Sequence, residues 1–397
     1  MSSTGVTLSG SFSGATGDTR NWGFQWGTSS SSLSNRVFSD GLSAGNTFTY
    51  SLGSLSPGTT YYYRAIIEEK DGTTGSYVDR VSSEIKSFTT SAEAAVSVGY
   101  LGCYEVPSVT ISGTGTSGYY NTDNDPRDDK WYRYNTSSST RKVVTHTFTG
   151  SSRVRNYTLL FDSSKHAPLW AAFPMHANVY GGTTNRSDDW INDPAISSGQ
   201  QSGLDNASTV GYSRGHLVAS QYRKKNDASN LQTFYYANQA PQWQNGFNSG
   251  VWSTLETKVL NASPSNQSDT LYVVVGVLYE EDYYSAHSDF PRTLPSGSTN
   301  IPIPTHFYTC LMKCSFSGST ITAAQGIAFV YPNVSHTGEN YYASEYITNI
   351  DDIETRAGFD FFPQVPSDLQ TTAEKNKDAR WFEPNASAPA STLSKRR

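Results

Sequence analysis

Residues 211–256, GYSRGHLVASQYRKKNDASNLQTFYYANQAPQWQNGFNSGVWSTLE, are the most informative stretch of the chain. The stretch begins with a turn-like Ser213-Arg214-Gly215-His216 segment and continues through an apolar strand candidate at residues 233–237. Asn248, Trp252 and Glu256 then follow at intervals of four, which would place them on one stripe of a helix. We therefore predict two short strands followed by a helix, forming a compact clamp.

The sequence around this stretch predicts a large domain rich in strands. Residues 155–161 and 169–173 are apolar segments that we interpret as neighbouring strands, and residues 270–278 predict a buried central strand. Residues 350–357 predict a short helix. Residues 113–127 are rich in Gly, Thr, Ser, Asn and Asp, so we expect a long loop there.

Three motifs in this region resemble the DNA/RNA non-specific endonuclease family, the ββα-metal or His-Me finger nucleases. They are Arg214-Gly215-His216, the Asn-x-x-Pro-Gln pattern of residues 238–242, and Asn248-x-Gly250-x-Trp252-x-x-Leu255-Glu256. Further matches, such as Trp190-x-x-Asp193-Pro194, extend the resemblance over residues 100–375. The resemblance implies Mg²⁺-dependent endonucleolytic cleavage of DNA and RNA that leaves 5′-phosphate ends.

The resemblance also implies roles for three residues. His216 would be the general base, and its unperturbed pKa near 6.5 suits that task; we expect a backbone carbonyl to accept from its other ring nitrogen. Asn248 would be the direct ligand of Mg²⁺, with Mn²⁺ or Ca²⁺ as alternatives in the same site. Glu256 would lie about 12 Å further along a helix at ~1.5 Å per residue, so we assign it to a water of the metal shell.

Cationic and amide side chains complete the predicted site. Arg214 and Arg186 would bind phosphate oxygens with their forked guanidinium groups, although the Arg186 match needs a small insertion at residues 187–189. Asn238 would have a supporting or substrate-contacting role. The run Arg223-Lys224-Lys225 would bind backbone phosphates or be merely solvated, and the sequence leaves both alternatives open.

One residue departs from the family pattern. Ser213 stands where the family usually has aspartate, which puts in doubt the hydrogen bonding that positions the motif. A catalytically weak or inactive nucleic-acid-binding or surface-binding protein on the same fold is therefore the alternative function. A glycan-cleaving protein is disfavoured because no pair of carboxylates stands out. The other histidines, His146 among them, lack metal-ligand spacing and are predicted to be structural.

Composition limits how the chain would meet a polyanion. Its 397 residues have a formal net charge of −6 and only 16% charged residues. A global basic field is therefore excluded, and DNA or RNA would have to be bound by a local patch. No apolar run approaches the roughly 18 residues of a membrane-spanning helix.

The N-terminal part predicts a separate domain. Residues 6–90 contain short alternating segments separated by Gly, Ser, Pro and Asp, the pattern of a β-sandwich. Residues 52–64 resemble the Leu-x-Pro-Gly-Thr-x-Tyr-x-Tyr corner of fibronectin type III-like domains, which implies a spacer or a binding unit with an unknown ligand. Such a module indicates a secreted, periplasmic or cell-surface protein, although no signal sequence is visible in this chain.

The predicted fold class is α+β, an N-terminal all-β sandwich followed by a mixed α/β nuclease domain with a ββα-metal finger. The predicted domains are a fibronectin type III-like sandwich at 1–92, a nuclease domain at 96–383 and a disordered tail at 384–397.

Overall fold

The computed structural model divides the chain into two compact units, Met1–Val96 and Ser97–Arg397. It describes residues 6–13, 18–39, 46–52, 55, 59–82, 84–90, 103–122, 125–150, 152–205, 207–296 and 299–386. Most of the predicted tail and part of the predicted corner, residues 387–397, 53–54 and 56–58, lie outside the described residues. Within the described ranges, no helix has the length and apolar character needed to cross a membrane.

The first unit consists of strands in two sheets. One sheet pairs β1 with β4, and the other has the order β3-β2-β5-β6 with β7 also paired to β5. Phe24 of β2 and Phe48 of β4 are buried with their ring centroids 5.2 Å apart, so an aromatic core joins the two sheets. The fibronectin type III-like resemblance stays a prediction. The strands are β1 (Val6–Ser11), β2 (Thr19–Gly27), β3 (Asn35–Ser39), β4 (Thr47–Leu52), β5 (Thr60–Lys70), β6 (Tyr77–Val81) and β7 (Lys86–Thr89).

The second unit is built on a nine-stranded antiparallel sheet with the order β20-β19-β18-β15-β12-β11-β10-β9-β8. As predicted, residues 155–161 and 169–173 lie in neighbouring strands, and residues 270–278 lie in a strand with a partner on each side. The strands of this sheet are β8 (Ile111–Thr122), β9 (Asp125–Thr136), β10 (Arg141–Thr149), β11 (Arg153–Asp162), β12 (Ala167–Met175), β15 (Asp269–Leu278), β18 (His306–Ser317), β19 (Thr320–Pro332) and β20 (Ile347–Thr348).

Shorter elements cover this sheet. Two separate hairpins are β13 (Tyr212–His216) with β14 (Gln239–Trp243), and β16 (Thr293–Ser296) with β17 (Thr299–Pro302). The helices are α1 (Ala177–Tyr180), α2 (Asp227–Leu231), α3 (Ser253–Asn261), α4 (Glu281–Ala286), α5 (Ile350–Ala357) and α6 (Ser367–Glu374). The helix predicted at residues 350–357 is thus confirmed. Asn349 caps its first turn by accepting a hydrogen bond from the Asp352 amide at 2.8 Å.

Both faces of the central sheet are buried, which explains the uninterrupted apolar run of β15. Val273 faces a core that also contains Trp252 from the segment leading into α3. Its neighbour Val274 points to the opposite face, into a core that contains Ile350 and Ile353 of α5. Since successive side chains of a strand alternate, a strand covered on both faces needs apolar residues at every position.

The sequence misassigned three local structures. The loop predicted at residues 113–127 is wrong, because β8 and β9 form a hairpin there, and its polar β8 strand pairs only with β9 among the described strands. The strand predicted at residues 233–237 is also wrong, since these residues form tight turns and β14 begins at Gln239. Phe234 and Tyr235 are both fully buried. The apolar residues at 233–237 are therefore explained by burial of these turns and not by a strand. The turn-like Ser213–His216 segment belongs to strand β13.

We expect Gly276→Ala to destabilise the second unit, because Gly276 lies in β15 where the sheet leaves no room for a side chain. A Cβ there would lie 2.2 Å from the Tyr308 hydroxyl and 2.6 Å from the Leu169 carbonyl oxygen. Overpacking of this kind costs about 1–3 kcal/mol of unfolding free energy, measurable by guanidinium chloride denaturation. Gly199→Ala is the control, because a Cβ there would meet no heavy atom within 4 Å apart from its own residue and chain neighbours. Equal stability of the two variants would contradict the expectation.

Candidate active site

The β13-β14 hairpin, with α3 after it, forms one wall of a cleft of about 420 Å³. Arg214 and His216 are two residues apart in β13, so their side chains lie on the same face of the strand, and both line this cleft. The other predicted site residues that line it are Arg186, Lys224, Asn248 and Glu256. Six of the predicted residues therefore meet in one place.

His216 is held by aromatic rings and keeps one ring nitrogen unpaired. The ring centroids of Trp190 and Phe234 lie 4.7 Å and 5.1 Å from that of His216. Its Nε2 is buried and has no hydrogen-bond partner among the described residues. Burial and the nearby charge of Arg186 lower the pKa of His216 to about 3, and a hydrogen bond to the backbone of Arg214 opposes part of that shift. The imidazole is therefore neutral at physiological pH.

Asn248 is oriented by Gln242 across the hairpin. The Nδ2 of Asn248 donates a hydrogen bond to the Oε1 of Gln242 at 2.5 Å. This bond leaves the Oδ1 of Asn248 as the amide atom available to a ligand. Gln242 packs against Gly215, where an added Cβ would lie 2.5 Å from the Cβ of Gln242. Glycine in the Arg-Gly-His motif therefore provides the space that Gln242 occupies.

The prediction that Asn248 and Glu256 share one regular helical stripe is wrong. Asn248 lies in the irregular segment Gln244–Trp252, and α3 begins only at Ser253. Gly246 has φ 77°, and Gly250 has φ −127° and ψ −112°, both outside the helical range. Because glycine adopts such conformations readily, the chain departs from helical geometry before Asn248, at Gly246, and again between Asn248 and Glu256, at Gly250. Asn248 and Glu256 nevertheless line the same cleft.

Glu256 lies in the first turn of α3 with its carboxylate half-buried in the cleft. The Nε2 of Gln221 donates to its Oε2 at a long 3.4 Å. Burial raises the pKa of Glu256 to about 7, although Trp252 and Arg186 favour the charged form. The Trp252 indole N–H makes no hydrogen bond of regular geometry within the described structure. A cation in the cleft would stabilise the carboxylate that burial disfavours.

The two arginines are fixed at the cleft by contacts within the protein. Arg186 donates from Nη1 to the Ser220 hydroxyl at 2.9 Å and from Nε to Asp188 at 2.9 Å. Arg214 donates from Nε to the Gly203 carbonyl at 2.6 Å and from Nη2 to Asp205 at 2.8 Å. Both guanidinium groups are thus positioned before any substrate is bound.

Comparison with known proteins identifies the family of this chain. The model of the DNA/RNA non-specific endonuclease family matches residues 136–368, more than half of the chain. The chain belongs to this family. It is 26% identical over 221 residues to the mitochondrial nuclease EXOG of Mus musculus, a match covering 55% of this chain and 58% of the mouse protein. It is 27% identical over 225 residues to a nuclease of Nostoc sp., covering 56% and 76% of the two chains.

The chain therefore spans little more than half the length of the mouse relative. A solved structure of the EndoG/EndoGI complex also matches, with 25% identity and a TM-score of 0.44, covering 56% of this chain and 88% of the matched chain.

Two residues predicted to contact substrate in this family member do not face the cleft. Asn238 is fully buried, accepts from the Val218 amide at 3.0 Å, and donates to the carbonyls of Val218 and Thr233. Arg223 is also fully buried and donates to the carbonyls of Asn156 and Pro174. The predicted substrate contacts of both residues are therefore wrong, because both side chains hold the fold together. The supporting role that the sequence also allowed for Asn238 remains, whereas Arg223 is neither a phosphate contact nor a solvated cation.

Lys224 and Lys225 differ from their buried neighbour. Lys224 lines the cleft. The Nζ of Lys225 is exposed and donates to the Asn178 carbonyl at 3.0 Å, and Lys225 is not among the cleft residues. Of the predicted run, Lys224 is therefore the residue that faces the cleft.

Ser213 stands where this endonuclease family usually has aspartate. The Ser213 hydroxyl donates across the hairpin to the Gln242 carbonyl at 3.2 Å, and Ser213 pairs with Gln242 in the β13-β14 register. The hairpin therefore keeps its pairing without the family carboxylate.

Sequence reasoning missed the residues that connect distant loops to the site. Asn230 is buried, donates to the Ser220 carbonyl at 2.9 Å and accepts from the Ser187 amide at 3.2 Å, so it ties the Arg186 loop to the cleft. No local signal in the sequence distinguishes this asparagine from the many others. The aromatic support of His216 by Trp190 could have been suspected from the Trp190 motif alone.

His146 is structural, as predicted. Its Nδ1 lies 2.7 Å from Asp129 and its Nε2 lies 3.0 Å from Asp193, and all three side chains are buried. The two carboxylates raise the pKa of His146 to about 10 against the opposing effect of burial. A charged imidazole therefore anchors the segment that leads from Trp190 to Asp193.

We expect Glu256→Gln to stabilise the metal-free protein at pH 8 but not at pH 4.5. The folded-state pKa is near 7 and the ordinary value is 4.5, so the unfolded chain ionises first and stability falls as pH rises between these values. The gain at pH 8 should be about 1–2 kcal/mol, allowing for partial solvent exposure. Denaturant unfolding in EDTA at both pH values measures it.

The control for this measurement is Glu281→Gln. Glu281 is exposed, and its ion pair with Arg292 lowers its pKa, so its replacement should give no gain at pH 8. An equal gain from Glu256→Gln at both pH values would show that burial of the charge is not the cause.

Proposed function

We propose that this chain is a metal-dependent, sequence-non-specific endonuclease that hydrolyses phosphodiester bonds of DNA and RNA. The observation that supports it best is the shared cleft, which neutral His216, with its unpaired Nε2, lines together with Asn248 and two arginines. Hydrolysis of a phosphodiester requires a base for the attacking water and positive charge for the phosphate. The cleft has groups for both tasks.

The side chains present in the cleft fit a hard divalent cation. The free Oδ1 of Asn248 is a neutral oxygen ligand. Burial raises the pKa of the Glu256 carboxyl group, so a neighbouring cation would stabilise its charged form. Asn248 would bind Mg²⁺ directly and Glu256 through a water, with Mn²⁺ or Ca²⁺ as alternatives in the same site. When bound, the ion supplies a Lewis acid that stabilises charge on the phosphate and on the leaving oxygen.

His216 would remove the proton from the attacking water through Nε2. A hydrogen bond between the other ring nitrogen and the backbone of Arg214 would fix the orientation of the ring. Burial alone makes His216 a weak base. A phosphate bound beside Arg186 places negative charge near the ring, which raises the pKa of the imidazole toward the range in which it can hold a proton.

Arg186, Arg214 and Lys224 would bind the backbone of the nucleic acid. Contacts to phosphate and sugar fix the position of the substrate but carry no base information. This accounts for cleavage without sequence preference. Secretion and a ligand for the N-terminal unit stay predictions that this mechanism does not require.

The second candidate function is an inactive nucleic-acid-binding or surface-binding protein on the same fold. The observation that favours it is Ser213 in place of the family aspartate. Against it, the hairpin bond from Ser213 to Gln242 keeps the motif in register.

A plasmid and an RNA transcript incubated with the protein should be degraded with Mg²⁺ and left intact with EDTA. His216→Ala should reduce the rate by 10²- to 10⁴-fold, the usual contribution of a general base. Asn248→Ala should raise the Mg²⁺ concentration required. His287→Ala is the control, because His287 is an exposed histidine outside the cleft. Nucleic-acid binding without metal-dependent degradation would instead support the inactive alternative.

Lys224→Ala should weaken nucleic-acid binding and make the slope of log affinity against log salt less negative by about one. Fluorescence anisotropy in the His216→Ala background measures binding without cleavage. The matched control is Lys225→Ala, since the ammonium of Lys225 lies outside the cleft and is bound to the Asn178 carbonyl. Equal effects of the two replacements would argue against the placement of phosphate beside Lys224.

A further inference from the structure

A second cleft of about 540 Å³ adjoins the candidate active site. Arg186, Arg214 and Asn248 line both clefts, so these three residues form the boundary between them. They are the residues proposed to contact the phosphate and the metal ion. A phosphate bound at this boundary would have one neighbouring nucleoside on the side of the second cleft.

The chemistry of the second cleft differs from that of the first. Beyond the shared boundary it is lined by the half-buried Trp190, by apolar Leu204 and Ala207, and by neutral Ser208. Asp205 adds a negative charge on this side, and its carboxylate is already paired with Arg214. An aromatic and neutral lining with an acidic edge favours a base and sugar over a second phosphate.

Trp190 brings a half-buried aromatic ring to the second cleft, where it packs on Phe234 and Tyr236 at centroid distances of 5.2 Å and 6.4 Å. The Arg214 guanidinium lies 5.5 Å from its ring centroid, and the ring also supports His216 at 4.7 Å. Every nucleobase has a π-face, so stacking on an aromatic side chain binds a base without selecting its sequence. The size of the cleft lies within the usual 300–1,000 Å³ of small-ligand sites.

We propose that the second cleft binds the nucleoside next to the scissile phosphate, with its base stacked on Trp190. This inference rests on the proposed endonuclease function and adds a base-binding subsite to it. A base seated there is withdrawn from its helical stack, so the subsite accepts an unpaired nucleotide.

The test uses single-stranded oligonucleotides that contain one hydrolysable phosphodiester between non-hydrolysable linkages. In two further substrates the nucleotide on one side or the other of that bond is abasic. With Mg²⁺, kcat/KM of the native protein should be roughly 5- to 150-fold higher for the intact substrate than for one of the two abasic substrates, the range expected for one stacked base. The fluorescence anisotropy of a fully non-hydrolysable intact or abasic oligonucleotide in EDTA should show the same preference.

Two variants locate the effect. Ser208→Phe fills the second cleft from an exposed position that does not line the first cleft, and Trp190→Leu removes the stacking surface. In both variants the ratio of kcat/KM between intact and abasic substrates should fall close to one, whatever happens to the absolute rate. Val210→Phe is the control, because Val210 is 46% exposed on the same turn and lies outside the lining of the cleft.

The outcomes separate the two proposals. Cleavage of the intact and both abasic substrates at equal rates by the native protein would overturn the subsite and leave the endonuclease function intact. No cleavage of any substrate would overturn the endonuclease function itself. A native preference that persists in both Ser208→Phe and Trp190→Leu would show that the base binds elsewhere and would overturn the assignment to this cleft.

Discussion

The hydrogen bond from Asn248 to Gln242 is the contact on which the geometry of the cleft depends. It connects the irregular segment before α3 to strand β14, and it decides which amide atom of Asn248 faces the cleft. The contact exists because Gly215 leaves room for Gln242 between the strands. Asn333 supports the same region by donating to the Pro241 carbonyl at 3.0 Å. One glycine, one glutamine and one asparagine thus define the position of the proposed metal ligand.

Burial acts on the two titratable groups of the site in opposite directions on the pKa scale, and in both cases it disfavours the charged form. His216 is kept neutral, and Glu256 has a pKa near 7. Neither pKa shift increases the stability of the folded chain at neutral pH. His216 is neutral there, and the desolvated carboxylate of Glu256 opposes folding. The two apolar cores on the faces of the central sheet stabilise the fold against this cost. Such unfavourable environments are typical of functional sites.

The parts of the structure that the sequence predicted depend on neighbours close along the chain. The β15 strand follows from an uninterrupted apolar run, and the α5 helix from a short local segment. The Arg-Gly-His motif marks the strand that carries Arg214 and His216. The parts that it did not predict depend on distant contacts. Arg223 has the composition of a surface cation, yet its guanidinium is buried against carbonyls from residues 67 and 49 positions away. Likewise, the polar β8 segment forms a strand because its backbone pairs with β9.

The buried ion pairs of His146 with Asp129 and Asp193 restrain the loop that contains Trp190, the residue that packs on His216. The loop cannot move away without separating a buried cation from its two carboxylates, which is costly in a medium of low dielectric constant. The loop therefore loses its conformational entropy when the chain folds. Binding of a polynucleotide then costs little further ordering of this loop. In this respect the protein resembles a rigid template: the wall beside the imidazole is preorganised before the first substrate arrives.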